Sequence, residues 1–400
     1  MTLALDRPTI APARHFGLAV LALAMGGFAI GTTEFVTMGL LPEITDGVQV
    51  SIPMGGHVIS AYAVGVVVGA PVIAFLGARL PRRGLLIGLM TFFAVGNAAS
   101  ALAGGYGLLT AARFFSGLPH GAYFGVASLL AASLATPERR GRAVSLVMLG
   151  LAVANIIGVP AATWLGQNLG WRSAYWAVSV LGLITIALIV AFVPACPGDT
   201  EATGRRELTA FARPQVWLTL LVGAVGFGGM FAVYSYIAPT VTDVGGLPAS
   251  AVPVFLLVFG VGMTAGTFLG GMLADWSVFR SLLASSVAMG LLLLAFSVTA
   301  HWGWWAVLDL GLIAVVSSVL VVNLQLRLME VAGDAQTLGA AMNHASLNLA
   351  NALGAWLGGL VIAAGFGYTA PALVGAGLSL AGLLILVVSA SLHRRATRAA

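Results

Sequence analysis

Lysine is absent from this 400-residue chain and charge of either sign is scarce, with 8% of residues charged against 60% hydrophobic. Soluble domains carry about 25% charged residues, so a water-soluble globule is excluded and a chain that crosses a bilayer many times is implied. Cysteine is nearly missing as well. The single Cys196 excludes an intrachain disulfide and a multi-cysteine metal site. The chain also lacks a metal-spaced His/Cys cluster, a nucleophile set beside a base, and a Walker loop, so neither an enzyme nor an ATP-driven pump is expected within it. A net charge of +5 would suit nucleic acid, but where the arginines fall points to membrane topology, and no nucleic-acid partner is expected.

What is present is a series of apolar runs. About 20 such residues cross a bilayer as a helix. Twelve runs qualify, at 16–41, 53–77, 84–103, 106–134, 143–165, 173–193, 215–238, 252–274, 281–300, 303–326, 337–364 and 370–392, here numbered spans 1 to 12. The first follows Arg7 and Arg14, as a secretory signal would. Its candidate cleavage site, Ala22-Leu23-Ala24, comes too early in the run, which continues to Leu41, so a retained span is expected. Of the connections on one side, only 166–172 holds an arginine, Arg172. The connections on the other side, with both termini, hold sixteen: Arg7, Arg14, Arg79, Arg82, Arg83, Arg139, Arg140, Arg142, Arg205, Arg206, Arg213, Arg280, Arg327, Arg394, Arg395 and Arg398. Arginine marks the cytoplasmic side, which predicts cytoplasmic termini and spans surrounded by lipid.

The longest polar interruption, 194–214, divides the spans six and six. It predicts an N-terminal six-helix bundle over 1–193, a cytoplasmic linker over 194–214 and a C-terminal bundle over 215–400. A shift of 197 residues lays Pro42 on Pro239 and the loop around Ala78 on Asp275, as a duplicated half would. Substrate sites in such folds lie near the midplane between the repeats.

Four local patterns then stand out. The turn after span 2 reads Gly77-Ala78-Arg79-Leu80-Pro81-Arg82-Arg83, and the second half carries Gly271-Met272-Leu273-Ala274-Asp275 with Arg280 following. Span 4 contains Arg113-Phe114-Phe115-Ser116-Gly117-Leu118-Pro119-His120-Gly121. Its arginine cannot shed its proton and needs acceptors inside the membrane, while the two glycines admit close helix approach. Span 5 places Gly150, Ala154 and Gly158 on one face before Pro160, the composition of a hinge packed against a partner. Span 1 contains Gly31-Thr32-Thr33-Glu34-Phe35, whose Glu34 is the only charge between Phe16 and Leu41. An intramembrane carboxylate is a functional hypothesis by default.

Together these patterns resemble the major facilitator superfamily, specifically its twelve-span drug:proton antiporters of the sugar-efflux and chloramphenicol-resistance type. The resemblance spans essentially the whole chain and implies a bacterial inner-membrane location. It implies an all-α membrane protein of two pseudo-symmetric six-helix bundles, proton coupling through the span-4 arginine, and an exporter hinge in span 5. It also implies gating at Arg79, Arg82, Arg83 and Asp275, though Ala74, Ala78 and Pro81 depart from the family's loop motif. Inside-positive anchoring explains those three arginines equally well.

Counting 1.5 Å per residue, Glu34 and Arg113 both lie about 10 Å from the outer ends of their spans, in one layer, and if spans 1 and 4 adjoin, as the resembled fold implies, the two pair directly. Asp309 of span 10 falls at a similar depth of roughly 10 Å, and is either a second proton site or an acid hydrated from the outer face. The expected proton-coupling set is therefore Glu34, Arg113 and Asp309. Candidate substrate contacts are Tyr62, Tyr123, Tyr234, Tyr236, Asn323, Gln325, His344 and Asn348. His344, Asn348 and Asn351 share one helical face, for substrate or for helix packing. Scarce charge within the spans favours a small neutral or amphipathic substrate, such as an amphenicol drug, with a sugar or metabolite as the alternative. An uncoupled facilitator is the rival mechanism. No cofactor is expected beyond the coupling proton, and the protein is expected to be a monomer.

Overall fold

A computed structural model describes residues 16–77, 79–136, 139–195, 213–332 and 336–399. The side chains of residues 74, 75, 336–341 and 393–399 lie outside that description. Among the described residues every regular element is helical. Hydrocarbon offers no water to unpaired amides, so a spanning chain must close its hydrogen bonds within each segment. Spans 1 to 3 are Phe16–Gly39, Ile52–Gly77 and Arg82–Leu102, and span 6 is Arg172–Phe192. A short helix, Leu41–Gly47, occupies the connection after span 1, where the sequence suggested only a loop.

Several of the remaining spans are interrupted, some of them where the sequence removes a backbone donor or a side chain. Span 4 is split into Tyr106–Gly117 and Pro119–Leu134, because Pro119 has no N–H to continue the ladder. Span 5 runs from Arg140–Val153 through a π-turn at Ala154–Gly158 into Val159–Leu169. The π-turn ends two residues before Pro160, so the helix is widened where a hinge was expected. Span 7 begins at Pro214–Leu221, widens at Val222–Gly226, continues through Gly228–Tyr234 and Ile237–Pro239, and ends in a second π-turn at Thr240–Val244. Spans 8 and 9 form one helical run, Val252–Thr299, broken at Ser277 where the backbone is extended (φ −174°, ψ 111°). Gly303, at φ +57°, turns the chain into span 10 at Ala306–Ala332. Spans 11 and 12 are Gln336–Ala363 and Ala370–Ala399. Nine described helical stretches are long and apolar enough to cross a membrane, and one of them, Ala249–Ala332, holds three spans end to end. With the split span 4, these are the twelve expected crossings.

The helices pack as two bundles of six. Leu23, Met90, Phe93, Ala127, Val147 and Val178 belong to a core built only from spans 1 to 6. Phe255, Phe259, Leu293, Leu310, Ile313 and Leu324 anchor the second core, which also takes in Phe35, Met38, Leu41, Ile59 and Val159 from the first half. Those five lie toward the end of the molecule that carries the connections after spans 1, 3 and 5, called here the loop end; the other is the termini end. The halves are sealed together at the loop end. Ser60 Oγ donates to Ala352 O at 3.1 Å and Gln167 Nε2 to Ala249 O at 2.9 Å, while Tyr236 Oη, bonded within the second half to Ala355 O at 2.5 Å, sits against Gly56 of the first. Leu21, Val72, Phe92, Val95, Phe268 and Leu384 point outward, as a lipid-facing belt requires, with exposed Trp302, Trp304 and Trp305 grouped between spans 9 and 10 at the depth where indoles anchor a bilayer interface.

Candidate functional site

Span 1 divides its surface by helical period. Gly27 and Gly31 face span 5, where an added Cβ would press on Val147 or on Leu151 and Ala154. Gly150 answers from the other side against the Ala24 carbonyl, and Gly158 against Thr32 and Phe28. The expected hinge residues Gly150, Ala154 and Gly158 thus pack span 5 against span 1, with Pro160 in the first turn beyond. Thr33 and Thr37, one turn apart, face spans 3, 4 and 6 instead. Thr33 Oγ1 donates to Asn97 Oδ1 at 2.6 Å, and Thr37 Oγ1 lies 2.8 Å from Tyr175 Oη.

Arg113 is wholly buried, and the chain supplies what its permanent charge needs. Nη1 donates to Thr33 Oγ1 at 2.9 Å and Nη2 to Thr33 O at 3.0 Å. The guanidinium stands 4.3 Å from the Tyr62 ring centroid and 5.3 Å from that of Tyr175, a cation–π arrangement worth about 0.5–2 kcal/mol per ring when desolvated. Nε has no partner among the described residues. Span 4 can come this close to span 2 because Gly117 meets the Tyr62 carbonyl and Gly65 meets the Phe114 carbonyl with no side chain between them.

Glu34 is 7% exposed and makes no hydrogen bond or ion pair within 4.0 Å among the described residues. It lies within electrostatic reach of Arg113, Tyr62 and Tyr234. The expected shared layer is therefore present, but the expected direct Glu34–Arg113 pair is not: the guanidinium is held by Thr33, one residue earlier, leaving the carboxyl free. Phe35, the next residue, stacks on Phe231 at 6.3 Å and meets Tyr234 edge-on at 5.7 Å. Glu34 and Tyr234 therefore flank the seam between the halves.

A second line of side chains crosses that seam. Tyr62 Oη lies 3.0 Å from His120 Nδ1. His120 packs at 5.4 Å on Phe124, which stacks on His344 of span 11 at 5.8 Å with planes 3° apart. Thus Arg113, Tyr62, His120, Phe124 and His344 form a continuous path from the first half to the second.

Most of the other expected site residues are engaged within their own half. Tyr123 Oη donates to Leu23 O at 2.9 Å and sits against Gly26, pinning span 4 to span 1. Tyr236 belongs to the loop-end seal through Ala355, Gly56 and Gly359. Asn323 Nδ2 donates to Gly270 O and Val319 O at 3.2 and 2.9 Å, tying span 10 to span 8. Gln325, two residues on and half-buried, makes no hydrogen bond among the described residues. Asp309 lies in the first turn of span 10, shallower than counting from Gly303 suggested, and accepts from Thr299 Oγ1 at 2.6 Å. A carboxylate there complements the positive end of its own helix, and it forms no pair with Arg113. Asn348 Nδ2 donates to the His344 carbonyl at 3.1 Å, leaving its Oδ1 unpartnered.

A family model described as Major Facilitator Superfamily matches residues 23–343. The chain belongs to the major facilitator superfamily. It is 42% identical over 380 residues to the "Inner membrane transport protein YdhP" of Escherichia coli K12, covering 94% of this chain and 96% of that one. It is 34% identical to the "Chloramphenicol resistance protein" of Streptomyces lividans, over 88% and 90% of the two chains. A solved D-xylose-proton symporter superposes with a TM-score of 0.77 at 17% identity, over 93% and 97% of the chains, and shares the fold. This chain is accordingly a membrane-spanning transporter of a small molecule, not an enzyme.

The major facilitator loop motif is only partly visible. Arg83 Nη2 donates to Val190 O at 2.6 Å, joining spans 3 and 6. Arg79 and Arg82 make no hydrogen bond or ion pair among the described residues, Ala78 lies outside them, and Asp275 is exposed beside the Ser277 break without a cationic partner among them. The one ion pair among the described residues is Arg327–Glu330 at 2.9 Å. Sequence reasoning missed Thr33 as the arginine's acceptor, Asn97 behind it, and Phe124. Only the Thr33 and Thr37 spacing hinted at the first, and nothing in the chain marks an asparagine 64 residues away as its neighbour.

Proposed function

We propose that this transporter exports a small neutral or amphipathic compound, an amphenicol-like drug for example, in exchange for a proton by alternating access. The observation that carries the reading is Glu34, a carboxyl inside the membrane, free of hydrogen bonds among the described residues and set between Arg113 and the seam of the two halves. A proton on Glu34 removes a charge from hydrocarbon, and its loss leaves a carboxylate facing a fixed guanidinium. Rocking the halves changes which of these forms is favoured, so the proton is taken up on one side and released on the other. Asp309 is left out of the coupling set because Thr299 engages it within its own half. The similarity to a chloramphenicol resistance protein supports export and an amphipathic cargo.

Arginine placement sets the loop end in the periplasm and the termini in the cytoplasm of the inner membrane. The halves are then 1–193 and 215–400, joined by 194–214. With one proton exchanged for one neutral molecule, each 100 mV contributes about 2.3 kcal/mol, enough for a gradient of somewhat under a hundredfold at ~1.4 kcal/mol per decade. The test is accumulation of a labelled compound panel in an efflux-deficient host, with proteoliposomes to follow proton release. Wild type lowers accumulation of a compound and releases protons when that compound is added, and Glu34→Gln does neither. Equal export by both proteins removes Glu34 from the mechanism. Export that survives Glu34→Gln with no proton signal in either protein favours the uncoupled facilitator.

A further inference from the structure

His344, Asn348, Asn351 and Ala355 recur at i, i+4, i+7 and i+11 and share one face of span 11. The outward face carries Leu349, Trp356 and Leu360, each exposed to lipid. Contacts at both ends of the polar face fix its direction. His344 stacks on Phe124 of the opposite half, and the Ala355 carbonyl receives the Tyr236 hydroxyl in the loop-end seal beside Gly56 of span 2. The stripe therefore looks into the seam, between the Phe124–His344 stack on the termini side and the Ser60–Ala352 bond on the loop side, about 12 Å apart along the helix.

Within that interval sit Asn348 and Asn351, both more than nine-tenths buried. Asn348 Oδ1 and both amide atoms of Asn351 have no hydrogen-bond partner among the described residues. Buried amides are almost always satisfied, because an unmet donor or acceptor loses its hydration with nothing in return. Helix packing alone would pair these atoms across the contact, as Ser346 Oγ pairs with Leu220 O at 2.7 Å on the neighbouring face. Asn351 offers one donor and one acceptor side by side, with a further acceptor one turn away on Asn348. Aromatic rings adjoin the interval on both sides: Phe124 stacks on His344, and Gly354, one turn beyond Asn351, packs against Phe231.

We infer that Asn351 and Asn348 form the polar recognition site for the transported molecule, and that the site selects a neutral ligand carrying a secondary amide next to an aromatic or other apolar group. The N–H of the ligand's trans amide donates to Asn351 Oδ1; its C=O points the other way, so Asn351 Nδ2 meets a second acceptor of the ligand and Asn348 Oδ1 a second donor. Parting of the Phe124–His344 stack admits the ligand, since the asparagine atoms are sealed in this closed arrangement. This assignment rests on the export reading for its cargo but not on Glu34.

The test uses the purified full-length protein and three matched probes: an aryl-bearing secondary amide, its N-methyl tertiary amide and its ester, with binding followed by calorimetry. The secondary amide binds at least about tenfold tighter than the other two, as expected when a buried donor or acceptor of the site is left unpaired. Asn351→Ala brings the three probes to within about twofold of one another, and its melting temperature stays at or above that of wild type, because it removes unmet groups and no existing bond. Equal binding of the three probes to wild type, binding of none of them, or unchanged discrimination in Asn351→Ala overturns the assignment. A fall in melting temperature in Asn351→Ala with discrimination intact makes the asparagine a packing residue and overturns it too. The proton-release assay with Glu34→Gln decides the export reading separately.

Discussion

Replacing Thr33 with valine isolates what holds the buried arginine. The hydroxyl accepts from Arg113 Nη1 at 2.9 Å and donates to Asn97 Oδ1 at 2.6 Å, while the neighbouring carbonyl keeps Nη2. Valine has the same shape but removes both side-chain bonds. A hydrogen bond to a charged group contributes about 1.5–3 kcal/mol, and a stranded buried acceptor such as Asn97 Oδ1 costs about 1–3. The arginine cannot escape by losing its proton. Against this, hydrogen bonds inside membrane proteins average only about 0.6 kcal/mol, with a maximum near 1.7, because the unfolded chain in lipid also finds partners. With two bonds lost around a permanent charge, the expected net destabilisation of Thr33→Val is about 2 kcal/mol. Thr33→Ser, which keeps the hydroxyl, loses less than half of that. Equilibrium unfolding in mixed micelles measures both. If Thr33→Val unfolds with wild-type free energy, Thr33 is not the arginine's anchor and the site as described is wrong.

Asp309→Asn preserves an acceptor for Thr299, so substrate-driven proton release in proteoliposomes is unchanged; its loss would return Asp309 to the coupling set. Gly117→Val drives a side chain into the Tyr62 carbonyl and destabilises by about 1–3 kcal/mol, whereas Gly125→Val, where nothing lies within 4 Å of the added Cβ, melts as wild type does. At the loop end, burial lifts the Glu43 carboxyl above the ordinary carboxylate value, opposed by its backbone hydrogen bond and by Gln167, with Asp46 adding to the rise. The closed loop end thus favours protonated Glu43, and that contribution is complete below the ordinary carboxylate pKa and is lost as pH rises through the elevated one. Spin labels at Asn168 and Ser250, on a chain with Cys196 replaced by serine, lose their short-distance population as pH rises from acid toward neutral. Glu43→Gln flattens that profile, and a profile unaffected by it removes Glu43 as the cause.

Much of this protein was legible in one dimension because the bilayer makes one-dimensional demands. Twelve apolar runs of sufficient length, and arginines on alternate connections, required twelve crossings without reference to any contact. The Arg113, Gly117 and Gly121 spacing announced a close approach, and Pro119 and Pro160 marked breaks because a missing N–H is a local fact. Depth was legible too, since rise per residue is constant, and it placed Glu34 beside Arg113 in one layer. Partners were not. That Arg113 is held by Thr33 while Glu34 is left free depends on rotation about the span-1 axis, where one residue changes direction by about 100°. That Tyr123, Tyr236 and Asn323 each donate to a backbone carbonyl was not legible, because a polar group in a membrane helix reads the same whether it faces a cavity or a neighbouring carbonyl. The sequence by itself determined the crossings, their order and the depth of each charge. Only the tertiary structure decided which face of each helix meets which neighbour, because azimuth is set by packing against helices far away in the chain.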